Sequence, residues 1–199
     1  MYTADLASQG SVSILVRKIL ADGHSIHILL NCGDTQRQHP SHLFPDGDWN
    51  EVLQFNLTNA FIICREVGTH MLARKPDALG RRGSIINLTL PVLDEDGRTM
   101  AASAASLGGV SQLTKALSNE WAAKGVRVNA IALEDIASES TAMFGNNTNG
   151  GSAPPQSSTT RSASSDALMS SLIYLASQAS GYVTGTVLTV HGSMARGLS

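Results

Sequence analysis

The sequence predicts an α/β fold in three layers, a parallel sheet of about four main strands with helices on both faces, and three observations predict it. The first is the stretch Met100–Ala132, MAASAASLGGVSQLTKALSNEWAAKGVRVNAIA, the longest periodic run in the chain. Leu107, Val110, Leu113, Leu117 and Trp121 recur at steps of three and four, the spacing of a helix with one buried face. Lys124-Gly125 then stops the helix, and Val126, Val128 and Ile131 read as a buried strand entered through a tight turn. The second is that three further short apolar runs, Ile26–Leu30, Ser84–Leu88 and Val187–Val190, have strand composition. The third is that long helical patterns separate these runs, and right-handed crossovers between them place the four strands in sequential order.

At 199 residues the chain has the size of one domain, residues 1–199, long enough to bury a core. Hydrophobic residues make up 42% and charged residues 15%, with a formal charge of −2, so no basic footprint points to nucleic acid or an anionic membrane surface. No apolar run approaches bilayer length, and the start MYTADLASQG lacks the basic and apolar regions of a signal peptide. A cytoplasmic, reducing compartment is the expectation. Cys32 and Cys64, the two cysteines, lie in apolar surroundings and read as buried, inert thiols. The Asn-x-Ser/Thr triplets at Asn56, Asn87 and Asn146 are chance matches in such a compartment.

From the start of the chain, Asp5-Leu6 reads as the end of a strand. A loop and the helix Ser11–Asp22 follow, with Val12, Leu15, Val16 and Ile19 inward. Asp5 alone is a turn or helix-capping aspartate. The strand Ile26–Leu30 runs into Asn31-Cys32-Gly33-Asp34, where Asp34 can cap the loop. Residues 36–48, with Pro40 and Pro45, read as a surface loop carrying His39 and His42; no carboxylate or cysteine stands at ligand spacing beside them, so no metal site is expected. Trp49–Arg74 is the second long helix, its apolar stripe running through Val52, Leu53, Leu57, Ala60, Phe61, Cys64, Val67 and Met71. On it Asn56 and Arg65 are single polar residues for which packing or solvated roles suffice. After the strand that ends at Leu88, residues 91–99 form a polar connection. Residues 138–165 turn to Ser, Thr, Asn, Gly and Pro, a composition that buries almost nothing and predicts a flexible insert. Asp166–Ala176 resumes a helix, and Tyr182-Val183-Thr184-Gly185 leads into the last strand.

Several of these stretches resemble the short-chain dehydrogenase/reductase family, in its branch of gluconate and deoxygluconate dehydrogenases. The residues that carry the resemblance include Ala104-Ala105-Ser106, Gly108-Gly109, Leu113-Thr114-Lys115, Glu120-Trp121, Lys124-Gly125, Val128-Asn129-Ala130 and Tyr182-Val183-Thr184-Gly185. It implies a partial Rossmann-like fold. Its catalytic pattern is a serine followed by Tyr-x-x-x-Lys, and aligned without gaps those positions fall on Leu90, Ser103 and Leu107. The tyrosine is the acid or base, the lysine lowers its pKa and holds the ribose, and the serine polarises the substrate carbonyl. An aliphatic hydroxyl at Ser103 cannot titrate as a tuned phenol does, and Leu107 offers neither charge nor donor. Asn56 matches the helix asparagine that holds a water in the proton relay. On the cofactor side Asp5 matches an aspartate beside the adenine ring, Asn31 the first residue of an Asn-Asn-Ala-Gly turn, Arg65 a basic cofactor-side position and Ile136 a position beyond the third strand. Asp34 replaces a glycine near the pyrophosphate, where a carboxylate would repel it. Leu133-Glu134 stands where the family has Pro-Gly.

A family member opens with a strand and a Thr-Gly-x-x-x-Gly-x-Gly turn that cradles the cofactor phosphates at a helix N-terminus. No such turn occurs in the chain, which on this resemblance reads as truncated at its N-terminus and leaves the strand Ile26–Leu30 on an open edge. The first functional expectation is therefore a degenerate family member without hydride transfer of its own, with no cofactor. It would partner a copy of itself or a full-length relative through helices 49–74 and 100–123, which resemble the family's dimer helices. The alternative is an NAD(P)-dependent oxidoreductase acting on a sugar acid or a small carbonyl or alcohol, with NAD or NADP as cofactor, represented by an incomplete chain. A different enzyme class using Ser103 or Ser106 as nucleophile lacks a Gly-x-Ser-x-Gly elbow.

Overall fold

The periodic stretch at the centre of the chain forms the two elements that its pattern dictates. In the computed structural model, which describes residues 1–6, 8–89, 100–134 and 165–191, Ala101–Trp121 is a helix and Val126–Glu134 a strand. Gly125 between them has φ +80°, a left-handed conformation, and a Cβ there would run into the carbonyl of Gly80, so only glycine fits the turn.

In chain order the elements are α1 (Gln9–Ala21), β1 (Ile28–Asn31), α2 (Asp46–Leu53), a π-helical turn (Gln54–Thr58), α3 (Asn59–Ala73), β2 (Gly83–Thr89), α4 (Ala101–Trp121), β3 (Val126–Glu134), α5 (Ser165–Ala176) and β4 (Val187–His191). The four strands form one parallel sheet in the order β1-β2-β3-β4, the sequential order that right-handed crossovers require. The register pairs Leu30 with Ile86, Asn87 with Ala130 and Ile131 with Leu188.

Alternate residues of each strand point to opposite faces, and on β2 and β3 both faces are covered. Ile85 and Leu29 meet Val16, Cys64, Val67, Met71, Leu117 and Trp121 from α1, α3 and α4. Their neighbour Ile86 turns the other way, to Ile131 and to Leu175 of α5. α3 and α4 approach so closely that a Cβ on Gly68 would stand 2.5 Å from the ring of Trp121. At the far end, Arg127 of β3 donates to the carbonyls of Leu175 (2.7 Å) and Val183 (3.2 Å), which fixes the carboxyl end of α5 and the turn into β4.

The largest departure from the sequence pattern is in the helix expected over Trp49–Arg74. It begins earlier, at Asp46, because Pro45 is its N-cap residue and Asp46 and Asp48 stand in its positive first turn. It is also interrupted by the π-helical turn Gln54–Thr58, centred on Asn56. Of the insert expected at 138–165, residues 138–164 lie outside the described residues; Ser165 opens α5.

Candidate active site

The candidate residues gather at the carboxyl ends of β1 and β2, where the loop after β1, the π-helical turn and the start of α4 meet. The π-helical turn inserts one extra residue into the helix, so it tilts a side chain off the regular stripe. That side chain is Asn56, 2% exposed. Its Oδ1 accepts from the Thr35 N–H at 2.8 Å. Its Nδ2 donates to the Thr35 carbonyl at 3.0 Å and to Ser106 Oγ at 3.1 Å. Ser106 Oγ in turn donates to the Ser103 carbonyl at 3.1 Å. Asn56 and Ser103, the two catalytic candidates, are thus brought together through Ser106. Both N–H donors of Asn56 are committed to protein partners, and a lone pair on Oδ1 is what it can still offer a ligand or water.

Ser103 is fully buried, and among the described residues its Oγ is the one buried side-chain oxygen or nitrogen without a hydrogen-bond partner. One turn on, Leu107 is 4% exposed; its carbonyl accepts from Thr89 Oγ1 at 2.7 Å and Ser111 Oγ at 3.2 Å. Its aliphatic side chain lies in the core where the resemblance places an ammonium. Leu90 and Ile136 lie outside the described residues.

Asn31 ends β1 directly opposite Asn87. Its Nδ2 donates to Asn87 Oδ1 at 2.8 Å and to Cys64 Sγ at 3.3 Å, and Asn87 Nδ2 donates to Thr114 Oγ1 at 2.9 Å. This network ties β1 and β2 to α3 and α4 beneath the site. Burial pushes the Cys64 thiol up to about 12, against the opposing hydrogen bonds with Asn31, which donates to it, and Asn87, whose Oδ1 accepts from it, so it is protonated and inert as expected. Cys32 is half-buried, and desolvation raises its thiol too.

Asp5 is exposed, and its carbonyl accepts from Ser8 N–H at 3.2 Å. The adjoining Leu6 carbonyl is held by Asn59 Nδ2 at the start of α3, and Leu6 lies with Phe55 against Gly33. Asp5, Asn31 and Asn56 therefore share one end of the sheet. Arg65 does not join them: it lies on the exposed side of α3, over the Phe61 ring at 5.6 Å and paired with Glu66 at 2.9 Å. Asp34 is exposed as a residue, yet desolvation of its carboxyl raises its pKa, opposed by a hydrogen bond with Gln36. His39 is held by Asp48 at 2.6 Å and edge-on to Phe44. Among the described residues no group of three or more His, Cys, Asp and Glu is placed to hold a metal ion, and no helix is long and apolar enough to cross a membrane.

The residues that sequence reasoning missed are two hydroxyls of α4 that face the sheet, Ser111 and Thr114. Their signal was present, since Ser103, Ser106, Thr114 and Ser118 share the buried face of α4 and recur at helical steps. Small polar residues among alanines and leucines carry little weight in an apolar pattern.

A parallel sheet with its polar side chains collected at the carboxyl ends of the strands is the architecture in which open α/β sheets bind ligands. Comparison with known proteins supplies the family. The family model described as enoyl-(acyl carrier protein) reductase matches residues 1–194, and the chain belongs to the short-chain dehydrogenase/reductase family. It is 34% identical over 192 residues to 2-dehydro-3-deoxy-D-gluconate 5-dehydrogenase of Pseudoalteromonas atlantica, covering 96% of this chain and 73% of the relative. The enzyme of that name from Bacillus subtilis is 30% identical over the same coverage. A crystal structure from Beutenbergia cavernae, provisionally named an NAD(P)-dependent gluconate 5-dehydrogenase and holding NADP, superposes with a TM-score of 0.74 at 31% identity, over 96% of this chain and 74% of that one.

The position that should hold the nicotinamide ribose does not fit it in the family's manner. Leu107 has no donor or charge, and the buried Ser103 hydroxyl cannot replace a phenol that must reach a ligand.

Proposed function

We propose that the chain is an oxidoreductase of the sugar-acid branch of its family, with a sugar acid or a related small carbonyl or alcohol as substrate and NAD or NADP as cofactor. What carries the reading is the 34% identity to 2-dehydro-3-deoxy-D-gluconate 5-dehydrogenase along nearly the whole chain. Support comes from the gathering of Asn31, Asn56 and Asp5 at one end of the sheet. In this reading Asn56 fixes the loop after β1 against α4, and Asn31 braces the strand ends beneath the ligand. The free thiols Cys32 and Cys64 suit a cytoplasmic protein.

A second reading, a family member without hydride transfer of its own that partners a longer relative through helices 49–74 and 100–123, is favoured by one specific observation. The tyrosine and lysine positions are a buried Ser103 and a buried Leu107. Removal of positioned acid-base catalysis costs about 10² to 10⁴ in rate. Steady-state oxidation of gluconate and reduction of 2-dehydro-3-deoxygluconate, with NAD(H) and NADP(H), distinguishes the two. Turnover by the unmodified chain supports the first reading. Absence of turnover at every cofactor and substrate concentration overturns it in favour of the second.

A further inference from the structure

The amino ends of β2 and β3 carry a charge that the overall composition hides. Residues 70–83 and 122–127, which include the loops from α3 to β2 and from α4 to β3, hold Arg74, Lys75, Arg81, Arg82, Lys124 and Arg127 against one acid, Asp77, in a chain whose formal charge is −2. Arg82 laces the two loops into one surface. Its Nη1 donates to the Lys124 carbonyl at 2.6 Å, its Nε to the Arg74 carbonyl at 2.8 Å and its backbone N–H to the Gly125 carbonyl at 2.7 Å. Neutral carbonyls fix a guanidinium in place and leave its charge uncancelled. The cations also act on one another: burial lowers the pKa of Arg127 and the Arg81 charge lowers it further, and burial lowers that of His70 with the Arg74 charge adding to it.

The loop from α3 to β2 is stiff and ends in an apolar tip. Asp77 accepts from the Arg81 side chain and from the N–H groups of Leu79 and Arg81, and the Gly80 N–H donates to the Asp77 carbonyl at 3.0 Å. Leu79, held between these bonds, is 70% exposed, and Lys75 and Lys124 are exposed as well. We propose that this face docks on an anionic lipid surface, with Leu79 entering the headgroup layer and Lys75, Arg82 and Lys124 against the lipid anions. Charge complementarity selects an anionic partner, since each basic residue near such a surface adds to the attraction. The apolar tip selects lipid over nucleic acid, because residues 70–83 and 122–127 contain no Phe, Tyr or Trp on which a base could stack. A loop already fixed by its own hydrogen bonds inserts with little ordering cost. All four strands run the same way, so the candidate site at their carboxyl ends faces away from the docked surface.

Cosedimentation of the 199-residue chain with vesicles tests this. With equimolar phosphatidylserine and phosphatidylcholine at low ionic strength, the unmodified chain should be half bound at about 1 mM accessible lipid, and it should leave the vesicles at about 1 M salt. Vesicles of phosphatidylcholine alone should not retain it. Lys75→Glu and Lys124→Glu should each weaken binding about fivefold or more, and Leu79→Ser about threefold. Lys115→Glu makes the same change in net charge on the exposed side of α4 and should leave binding unchanged. Lys75, Leu79 and Lys124 are all exposed, so their variants should keep the circular dichroism spectrum of the unmodified chain. No binding to the phosphatidylserine vesicles, equal binding to the neutral ones, or a loss with Lys115→Glu as large as with Lys124→Glu overturns the proposal. Retention by duplex DNA in a gel-shift assay without retention by the vesicles overturns it too. The unmodified chain on the two kinds of vesicle decides the matter even if a variant fails to fold.

Discussion

Asn56 shows how much one amide can fix. It makes three hydrogen bonds, accepting from the Thr35 N–H and donating to the Thr35 carbonyl and to Ser106 Oγ, the last of them buried. Asn56→Ala would remove the donor to Ser106 Oγ and the partners of both backbone groups of Thr35, a cost of about 3 kcal/mol, read as a lower urea midpoint with unchanged slope. Cys64 gives a second test at this scale. Its thiol is raised to about 12 by burial, so the folded state favours the protonated form more than the unfolded state does. Its contribution to stability is therefore whole below about pH 9 and is lost as pH rises towards 12. Thiol-specific reagents should modify Cys32 in the native protein and Cys64 only on unfolding. Ser103, by contrast, is a hydroxyl with nothing to bond among the described residues, so Ser103→Ala should cost less than about 1 kcal/mol in the same urea titration.

Among the elements, α3 and α4 are joined at a point where side-chain volume has no slack. Gly68 faces the Trp121 ring, and Gly68→Ala should cost about 1–3 kcal/mol through forced displacement of the indole, read from thermal unfolding. The loop between α3 and β2 is held differently, by Asp77. Its carboxylate accepts from the Arg81 side chain and from the backbone N–H groups of Arg81 and Leu79, which lowers its pKa from 3.8 to about 2. A lowered folded pKa means stability present above about pH 4 and lost as pH falls towards 2. The carboxyl carbon of Asp77 should titrate near 2 by NMR and move back towards 3.8 in Arg81→Ala. These elements were legible in the sequence because apolar periodicity records burial, and α4 and β3 fall where Leu107 to Ile131 place them. The π-helical turn was not legible. Its cause is a set of long-range bonds from Asn56 to Thr35 and Ser106, and no local pattern records those. The early start of α2 was readable from Pro45, Asp46 and Asp48, which the apolar stripe outweighed.

At the scale of the molecule, the sheet order and the family were legible because they rest on many residues at once. The site was legible only in part. Asn56, Ser103, Asn31 and Asp5 converge, but Arg65, placed with them by resemblance, spends its charge on Glu66 at the opposite side of α3. A helix position alone does not say which face a long side chain will take. The hydroxyls of Ser111 and Thr114 went unseen because each is individually ordinary; only the fold brings them to Thr89 and Asn87. The measurement that bears most directly on the proposed sugar-acid site is an amide-resolved NMR titration of the unmodified chain with NADPH, then with gluconate. Saturable shifts confined to Asn31, Thr35, Asn56, Ser103, Ser106 and their neighbours are the expected result. No saturable shifts, or shifts centred away from the carboxyl ends of β1 and β2, would contradict it.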